Sequence, residues 1–118
     1  MSQVAEPHCP FCRIVAGKTD TPLLYQDEWV TAFPDIRPVA PLHVLIVPNE
    51  HLESLNQVES RHEPVLGRML YVARLLAERQ GVEKSGYRVV INTGPHAGQS
   101  VFHLHLHLIA GRPMSFRF

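Results

Sequence analysis

The stretch His103-Leu104-His105-Leu106-His107-Leu108 decides the fold around it, because six residues alternate strictly between histidine and leucine. Successive side chains of a β-strand point to opposite faces. A strand would therefore place the three imidazoles about 6.6 Å apart on one face and the three leucines on the other. If the leucine face is buried in a core, the imidazole face must look into solvent or a pocket. A half-buried strand whose wet face carries histidine by chance is the alternative, but such faces usually carry other polar residues. The pattern therefore predicts a site of histidine chemistry.

Histidine is the side chain that titrates near neutral pH, and three neighbouring imidazoles titrate as a unit because charging one disfavours charging the next. Some of them are then neutral at pH 7. A neutral imidazole has a lone pair that can attack an electrophile, bind a metal or accept a proton, whereas a charged neighbour can stabilise an anion. The composition of the segment alone leaves these roles open.

The chain has 118 residues, of which 45% are hydrophobic, and this suits one domain with a single core. Eleven basic and eleven acidic residues balance, which argues against binding of nucleic acid or membrane surfaces driven by net charge. No apolar run approaches a membrane span, and residues 1–7 lack the features of a signal peptide. We therefore expect a cytoplasmic protein with neither nucleic acid nor membrane as a partner.

The periodicity of apolar residues predicts one short helix, one long helix and several strands. The long helix should follow a capping box formed by Ser60 and Glu63, with Pro64 in its first turn, and end at Gly81. The other expected elements are a helix over 11–16 and strands over 23–26, 29–33, 43–47, 87–92 and 101–110. Strands that do not alternate regularly with helices indicate an antiparallel α+β domain.

Cys9 and Cys12 are separated by two residues, which is the spacing of half a tetrahedral zinc site. Two unrelated buried cysteines remain possible, and a redox pair would need a following βαβ pattern that the sequence lacks. Since there is no third cysteine, further metal ligands must come largely from the eight histidines. The spacing does not choose among them.

The segment 92–100 leads directly into the histidine run and contains two glycines. Asn92, Gln99 and Ser100 supply uncharged hydrogen-bonding groups beside the imidazoles, which suits a phosphate. An ordinary wet hairpin loop is the alternative, and the adjacent histidines favour the phosphate site. Asp35 is either a turn residue or a carboxylate for paired hydroxyls. His43 is either a strand-end surface residue or an orienting imidazole.

The run 98–108 resembles the signature of the histidine-triad hydrolases, in which three histidines alternate with apolar residues. The similarity extends through the Cys-x-x-Cys pair and residues 33–36, 40–43, 47–51, 87–92 and 111–112, which look like the Hint branch of nucleoside phosphoramidate hydrolases. The resemblance implies an α+β fold of histidine-triad (HIT) type with an antiparallel sheet of about five strands. It also implies a single domain over 1–118, with extended tails at 1–7 and 112–118, and a homodimer that joins two sheets into one.

In such a protein His105 would attack the α-phosphorus of a purine nucleotide and become transiently nucleotidylated. His43 would orient or relay protons with His105, and His107, Gln99 and Ser100 would hold phosphate oxygens and help the amine leave. The resemblance implies a nucleotide-binding set, in which Asp35 meets the ribose hydroxyls and Asn92 adds to the phosphate site: Phe11, Ile14, Phe33, Asp35, Ile36, Leu45, Asn92, Gln99, Ser100 and His107.

A structural zinc is implied as well, held by Cys9, Cys12, His51 and His103. All four positions would be filled by protein, which leaves none for an activated water. The sequence departs from eukaryotic relatives in the tail, where Phe116 stands in place of a tryptophan.

The implied activity is hydrolysis of the phosphorus–nitrogen bond of purine nucleoside phosphoramidates, aminoacyl-type adducts included, with release of the nucleoside monophosphate. The alternatives are a dinucleoside polyphosphate hydrolase and a nucleotide-binding or interaction module with vestigial catalysis.

Overall fold

The computed structural model describes residues 6–115 of the chain. Its centre is a five-stranded antiparallel sheet in the order β1-β2-β3-β5-β4. The strands are β1 Tyr25–Gln26, β2 Val30–Pro34, β3 Leu42–Pro48, β4 Tyr87–Ile91 and β5 Leu106–Ala110, and the helices are α1 Pro10–Val15 and α2 Glu63–Arg79. The expected α+β class is confirmed, with one short and one long helix. The pairing of two sheets across a dimer stays a prediction.

The leucines of the alternating run form part of the main core. Leu104, Leu106 and Leu108 have no exposed surface and pack in one cluster with β2, β3 and one face of α2. β5 lies between β3 and β4, with Leu108 opposite Val44 on one side and Val89 on the other. Fully burying a leucine side chain contributes about 1.5–3 kcal/mol. These three residues therefore hold the histidine segment in place.

The long helix begins at Glu63 and carries Pro64 in its first turn, as expected. The expected capping box is one residue out of register. Glu59 and His62 form it instead, because the imidazole Nδ1 of His62 accepts a hydrogen bond from the Glu59 amide at 2.9 Å, as a glutamate would in the usual motif. Ser60 and Glu63 are therefore not the capping pair, and a short 3₁₀ turn over Ser60–His62 precedes the helix.

The histidine strand is shorter than expected. Pairing with β3 and β4 starts at Leu106, so His103 and His105 lie in the irregular segment that leads into β5. The backbone there bonds outside the ladder, since the Leu104 amide donates to the Leu52 carbonyl at 2.6 Å. The strand expected over 23–26 is likewise reduced to two residues. Among residues 6–115, no helix has the length and hydropathy needed to cross a bilayer.

Candidate active site and metal centre

A cavity of about 480 Å³ opens between α1, β2 and the histidine segment. Its size lies within the usual range for small-molecule sites, roughly 300–1,000 Å³. His105 lines it together with eight of the ten residues expected to bind nucleotide: Phe11, Ile14, Phe33, Asp35, Ile36, Leu45, Ser100 and His107. The structure thus brings together residues from separate parts of the chain around one cavity.

Sequence reasoning missed a polar rim on the same cavity. It consists of residues near or just beyond the ends of α1: His8, Arg13, Thr19 and Thr21. None belongs to a recognisable motif. The signal that could have found them is their proximity in sequence to Phe11 and Ile14, since the chain must turn back beside α1 to reach β1.

Phe11 connects the cavity wall to the histidines. Its ring contacts Phe33 edge to face at a centroid distance of 5.3 Å and His105 at 5.2 Å with the planes nearly perpendicular. Such edge-to-face pairs add about 0.5–1.5 kcal/mol beyond area burial. Phe11 therefore limits the rotation of the His105 ring.

The tautomer of His105 follows from its hydrogen bond. Nδ1 lies 2.7 Å from the backbone carbonyl oxygen of His103, and a carbonyl oxygen can only accept. Nδ1 therefore carries the proton. In the neutral ring the free lone pair is on Nε2, on a side chain that is only 6% exposed and lines the cavity. A lone pair in this position can attack an electrophile, accept a proton or accept a hydrogen bond.

His43 contacts His107, and its expected role of orienting or relaying protons with His105 stays a prediction. The two rings meet through Nε2 of His43 and Nδ1 of His107 at 2.9 Å. Asp35 Oδ2 lies 3.4 Å from the same Nε2. The register of the sheet explains this pairing, because Leu45 on β3 is opposite His107 and places His43 two residues away on the same face.

Burial governs the charge of this pair. Burial, together with the neighbouring His105 and His43, lowers the pKa of His107 to about 4 against a smaller opposite effect of Asp35. Burial also lowers the pKa of His43, while Asp35 acts to raise it. Both rings are therefore neutral at pH 7, and their tautomers decide what they offer to a ligand.

Gln99 lies behind the cavity wall, not among the residues that line it. Its amide donates to the carbonyl oxygens of Glu53 at 2.7 Å and Val101 at 3.1 Å, and its oxygen accepts from the Gly94 amide at 2.9 Å. Both the donors and the acceptor of the side chain are thus engaged by backbone. This geometry differs from the expected direct contact with phosphate. Asn92 is also absent from the lining, whereas Ser100 belongs to it.

The two cysteines form a second centre with His51 and His103, and the four ligand atoms lie within 4.8 Å of one another. Cys9 Sγ is 3.3 Å from His103 Nδ1, Cys12 Sγ is 3.3 Å from His51 Nδ1, and Cys12 Sγ is 3.6 Å from His103 Nδ1. A tetrahedral zinc, with Zn–S of about 2.3 Å and Zn–N of about 2.05 Å, separates sulfur and nitrogen ligands by about 3.6 Å. The residues fit a zinc ion.

The protonation of the cluster also suits a metal. Nε2 of His103 donates to the Pro48 carbonyl oxygen at 2.8 Å, so its neutral ring turns the Nδ1 lone pair toward the sulfurs. Burial lowers the pKa of His103 to about 4 and raises the pKa of the Cys12 thiol to about 11. A metal ion would displace the thiol proton, as cysteine ligands require.

Phe116 lies outside the described residues, as do residues 1–5 of the expected N-terminal tail.

A five-stranded antiparallel sheet with one long helix and a cavity lined by His105 and His107 defines a histidine-triad protein. Comparisons agree. The family model described as "Scavenger mRNA decapping enzyme C-term binding" matches residues 8–117. A "Purine nucleoside phosphoramidase" of Escherichia coli is 46% identical over 104 residues, which cover 88% of this chain and 87% of that protein. A "14 kDa zinc-binding protein" of Zea mays is 46% identical over 108 residues, which cover 90% and 84%.

Among solved structures, a HIT family hydrolase from Legionella pneumophila superposes with a TM-score of 0.90 at 39% identity, covering 92% of this chain and 97% of that one. The chain belongs to the histidine-triad (HIT) family, in its Hint branch. It is a nucleotide hydrolase of the histidine-triad type.

Proposed function

We propose that the protein hydrolyses the phosphorus–nitrogen bond of purine nucleoside phosphoramidates, aminoacyl-type adducts included, through a nucleotidyl-His105 intermediate. The observation that carries this is the His105 Nδ1 to His103 carbonyl bond of 2.7 Å, which leaves the Nε2 lone pair on a ring that lines the cavity. The E. coli relative named a purine nucleoside phosphoramidase supports the choice of substrate.

The chemistry proceeds in two displacements. Nε2 of His105 forms a bond to the α-phosphorus while the phosphorus–nitrogen bond of the substrate breaks, and the departing amine takes up a proton from the surrounding water. The hydrogen bond from Nδ1 to the His103 carbonyl stabilises the positive charge that the ring gains. Water then attacks phosphorus, releases the nucleoside monophosphate with a proton, and restores neutral His105. Splitting one difficult step into two in this way is nucleophilic catalysis.

The walls of the cavity suit a nucleoside. Phe11, Phe33 and Leu45 form apolar surface for a purine, and Asp35 contributes a carboxylate at the same cavity. Paired ribose hydroxyls are donors that a carboxylate accepts. We therefore assign the base to the aromatic side, the ribose to Asp35, and the phosphate to the region of Ser100 and His107.

A direct test is to compare turnover of adenosine 5′-phosphoramidate with turnover of a diadenosine polyphosphate. We expect preference for the phosphoramidate, and a strong preference for the polyphosphate would replace our proposal with the other branch of the superfamily. Rapid acid quenching followed by intact-protein mass spectrometry should detect an added nucleotidyl group. Peptide mapping should then place that group on His105, and an adduct on another residue would contradict the mechanism.

We further propose that the ion at Cys9, Cys12, His51 and His103 is a structural zinc. It would crosslink α1 to the segment that carries the triad and supply no Lewis-acid chemistry, because all four positions are filled by protein. The zinc-binding relative from Zea mays supports the choice of metal. Elemental analysis of the purified protein should find one zinc per chain, with loss of the metal in Cys9→Ser. Protein purified without zinc that remains fully stable and active would contradict this.

The homodimer is proposed through the edge of β4. Within residues 6–115 this strand pairs with β5 alone, so its other side carries unpaired backbone groups, which are a template for pairing with a second strand. Val89 and Tyr87 are 36% and 37% exposed there. Light scattering should report a dimer, and Val89→Arg should convert it to a monomer. Leu23→Arg, near the opposite edge, is the control. A monomeric wild-type protein would rule out the dimer.

A further inference from the structure

Three hydrogen bonds connect the protein surface to the cavity. Arg112 Nη2 donates to the Val39 carbonyl oxygen at 2.8 Å. The Val39 amide donates to His43 Nδ1 at 3.1 Å. His43 Nε2 then meets His107 Nδ1 at 2.9 Å, and His107 lines the cavity. Each bond is within the ordinary distance range.

The backbone N–H of Val39 determines which ring nitrogens of His43 and His107 carry a proton. An amide N–H can only donate, so Nδ1 of His43 must present its lone pair to Val39 and the proton of the neutral ring must be on Nε2. That proton is donated to His107 Nδ1, which therefore has no proton of its own. Neutral His107 then carries its proton on Nε2.

We propose that Val39, held in place by Arg112, is a positioning residue that sets the tautomers of His43 and His107, so that His107 presents an N–H donor to a substrate phosphate. The proposal rests on the proposed function only for the identity of the phosphate ligand. With the opposite tautomer, His107 would present a lone pair to phosphate oxygens, which repel it.

Asp35 favours the same tautomer of His43, with the proton on Nε2. Its carboxylate oxygen lies 3.4 Å from His43 Nε2 and can only accept, so it also favours the proton on that nitrogen. Asp35, His43 and His107 could be mistaken for a metal site, since their ligand atoms lie within 4.8 Å of one another. A metal on His43 Nε2 would push the proton to Nδ1, where it would face the Val39 N–H. The Val39 N–H therefore favours the hydrogen bond between His43 and His107 and disfavours a metal ion on these side chains.

Arg112 is placed where it can hold the loop. The residues around Val39 are exposed, and the loop before β3 is tethered by the Asp35 amide to His43 carbonyl bond at 3.0 Å and by Arg112. The preceding Gly111 has φ of 102° and lies so close to Pro41 that an added Cβ would be 2.8 Å from the proline Cβ. The backbone before Arg112 is therefore packed tightly against this loop.

The first test deletes one N–H. Val39→Pro removes the amide proton, and Val39→Ala keeps it while also removing the valine methyl groups. In long-range ¹H–¹⁵N spectra of histidine-labelled protein, we expect His43 to be the Nε2–H tautomer in wild type and Val39→Ala and a mixture in Val39→Pro. We also expect kcat of Val39→Pro to fall by roughly 10–100-fold, less than the loss of a whole preorganised donor, with KM changed much less.

A second variant guards against misfolding of Val39→Pro. Arg112→Gln shortens and neutralises the tether, and we expect the same tautomer mixing with a smaller loss of kcat, of roughly 3–10-fold, partly restored in Arg112→Lys. Arg74→Gln, on α2, controls for the loss of one positive charge. The thermal unfolding midpoint should stay the same among these variants.

An unchanged His43 tautomer in Val39→Pro, or in Arg112→Gln if the former does not fold, would overturn the proposal. The spectra require no substrate. They therefore decide the proposal even if the wild-type protein fails to hydrolyse phosphoramidates, which would count against the proposed function alone.

Discussion

His103 and His107 belong to the same alternating run and differ in what covers them. His103 has no exposed surface, with its Nδ1 against two sulfurs and its Nε2 on the Pro48 carbonyl. His107 lines a cavity and shares a hydrogen bond of 2.9 Å with His43. The role of each imidazole is set by the partner of its second nitrogen, since that partner decides whether a lone pair or a proton faces the ligand.

The two centres are joined through one residue. The ring of His103 belongs to the cysteine cluster, while its backbone carbonyl accepts the Nδ1 proton of His105. A change in the cysteine cluster should therefore affect the cavity, whereas replacing the side chain of His105 should leave the cysteine cluster intact. The following experiments test this asymmetry.

The largest effect is expected on the cavity side from His105→Asn. Removing the proposed nucleophile should lower kcat by roughly 10³-fold or more, as loss of a covalent nucleophile does in other enzymes. Affinity for nucleoside monophosphate, measured by calorimetry, should change little because the cavity walls remain. Zinc content should equal that of wild type, and turnover near the wild-type rate would remove His105 from the mechanism.

On the buried side, Cys9→Ser should lower stability by several kcal/mol. A ligand present at a thousandfold above its Kd contributes about 4 kcal/mol. Thermal unfolding of the variant should match that of wild-type protein stripped with a chelator, and chelator should not shift the variant further. We also expect a fall in kcat, because the His103 carbonyl that orients His105 loses its anchor. Unchanged kcat with lost metal would show that the two centres are independent.

Asp35→Asn probes the nucleoside end of the cavity. If the carboxylate accepts from the ribose hydroxyls, KM should rise by roughly 10-fold or more, since hydrogen bonds to a charged group contribute about 1.5–3 kcal/mol. The same substitution should have little effect on a substrate that lacks both hydroxyls. Equal losses for the two substrates would show that Asp35 acts through His43, whose Nε2 lies 3.4 Å away, and not through the ribose.

The smallest effect is a pH dependence of stability on the His107 side. Its pKa is lowered to about 4 in the folded protein, whereas an unfolded histidine titrates near 6.5. Between these values the unfolded chain binds more protons, so the free energy of unfolding should fall as pH falls from about 6.5 to 4. The slope from this residue is below the limit of about 1.4 kcal/mol per pH unit. Denaturant titrations of His107→Asn should show a shallower decline than wild type, and parallel curves would contradict the assignment.

Much of the fold could be predicted from periodicity. The buried face of Leu104, Leu106 and Leu108 and the apolar stripe of α2 follow from spacing alone, and the structure confirms both. The capping box could not be placed correctly, because a histidine performs the task expected of a glutamate. The start of β5 was missed for a different reason, since the Leu104 amide donates to the Leu52 carbonyl and not to a neighbouring strand.

In the candidate site, sequence reasoning identified most residues of the cavity wall but not the hydrogen-bond partners of Gln99 and His43. Gln99 stands beside the triad in sequence, yet its amide is engaged by the backbone of Gly94, Glu53 and Val101. His43 contacts His107 because of sheet register, which a linear pattern does not encode. Val39 carried no sequence signal, and Arg112 appeared only within the family resemblance, because what both residues contribute depends on backbone hydrogen bonds.

The order of amino acids specifies which side chains are available for chemistry and alternates leucines with them, because a period of two separates a buried face from a ligand-facing one. Folding then sets which imidazole meets sulfur, which meets another imidazole and which keeps a free lone pair. Those outcomes depend on hydrogen-bond partners from α1, β3 and the loop at Val39, which lie far apart along the chain and are brought together only by packing.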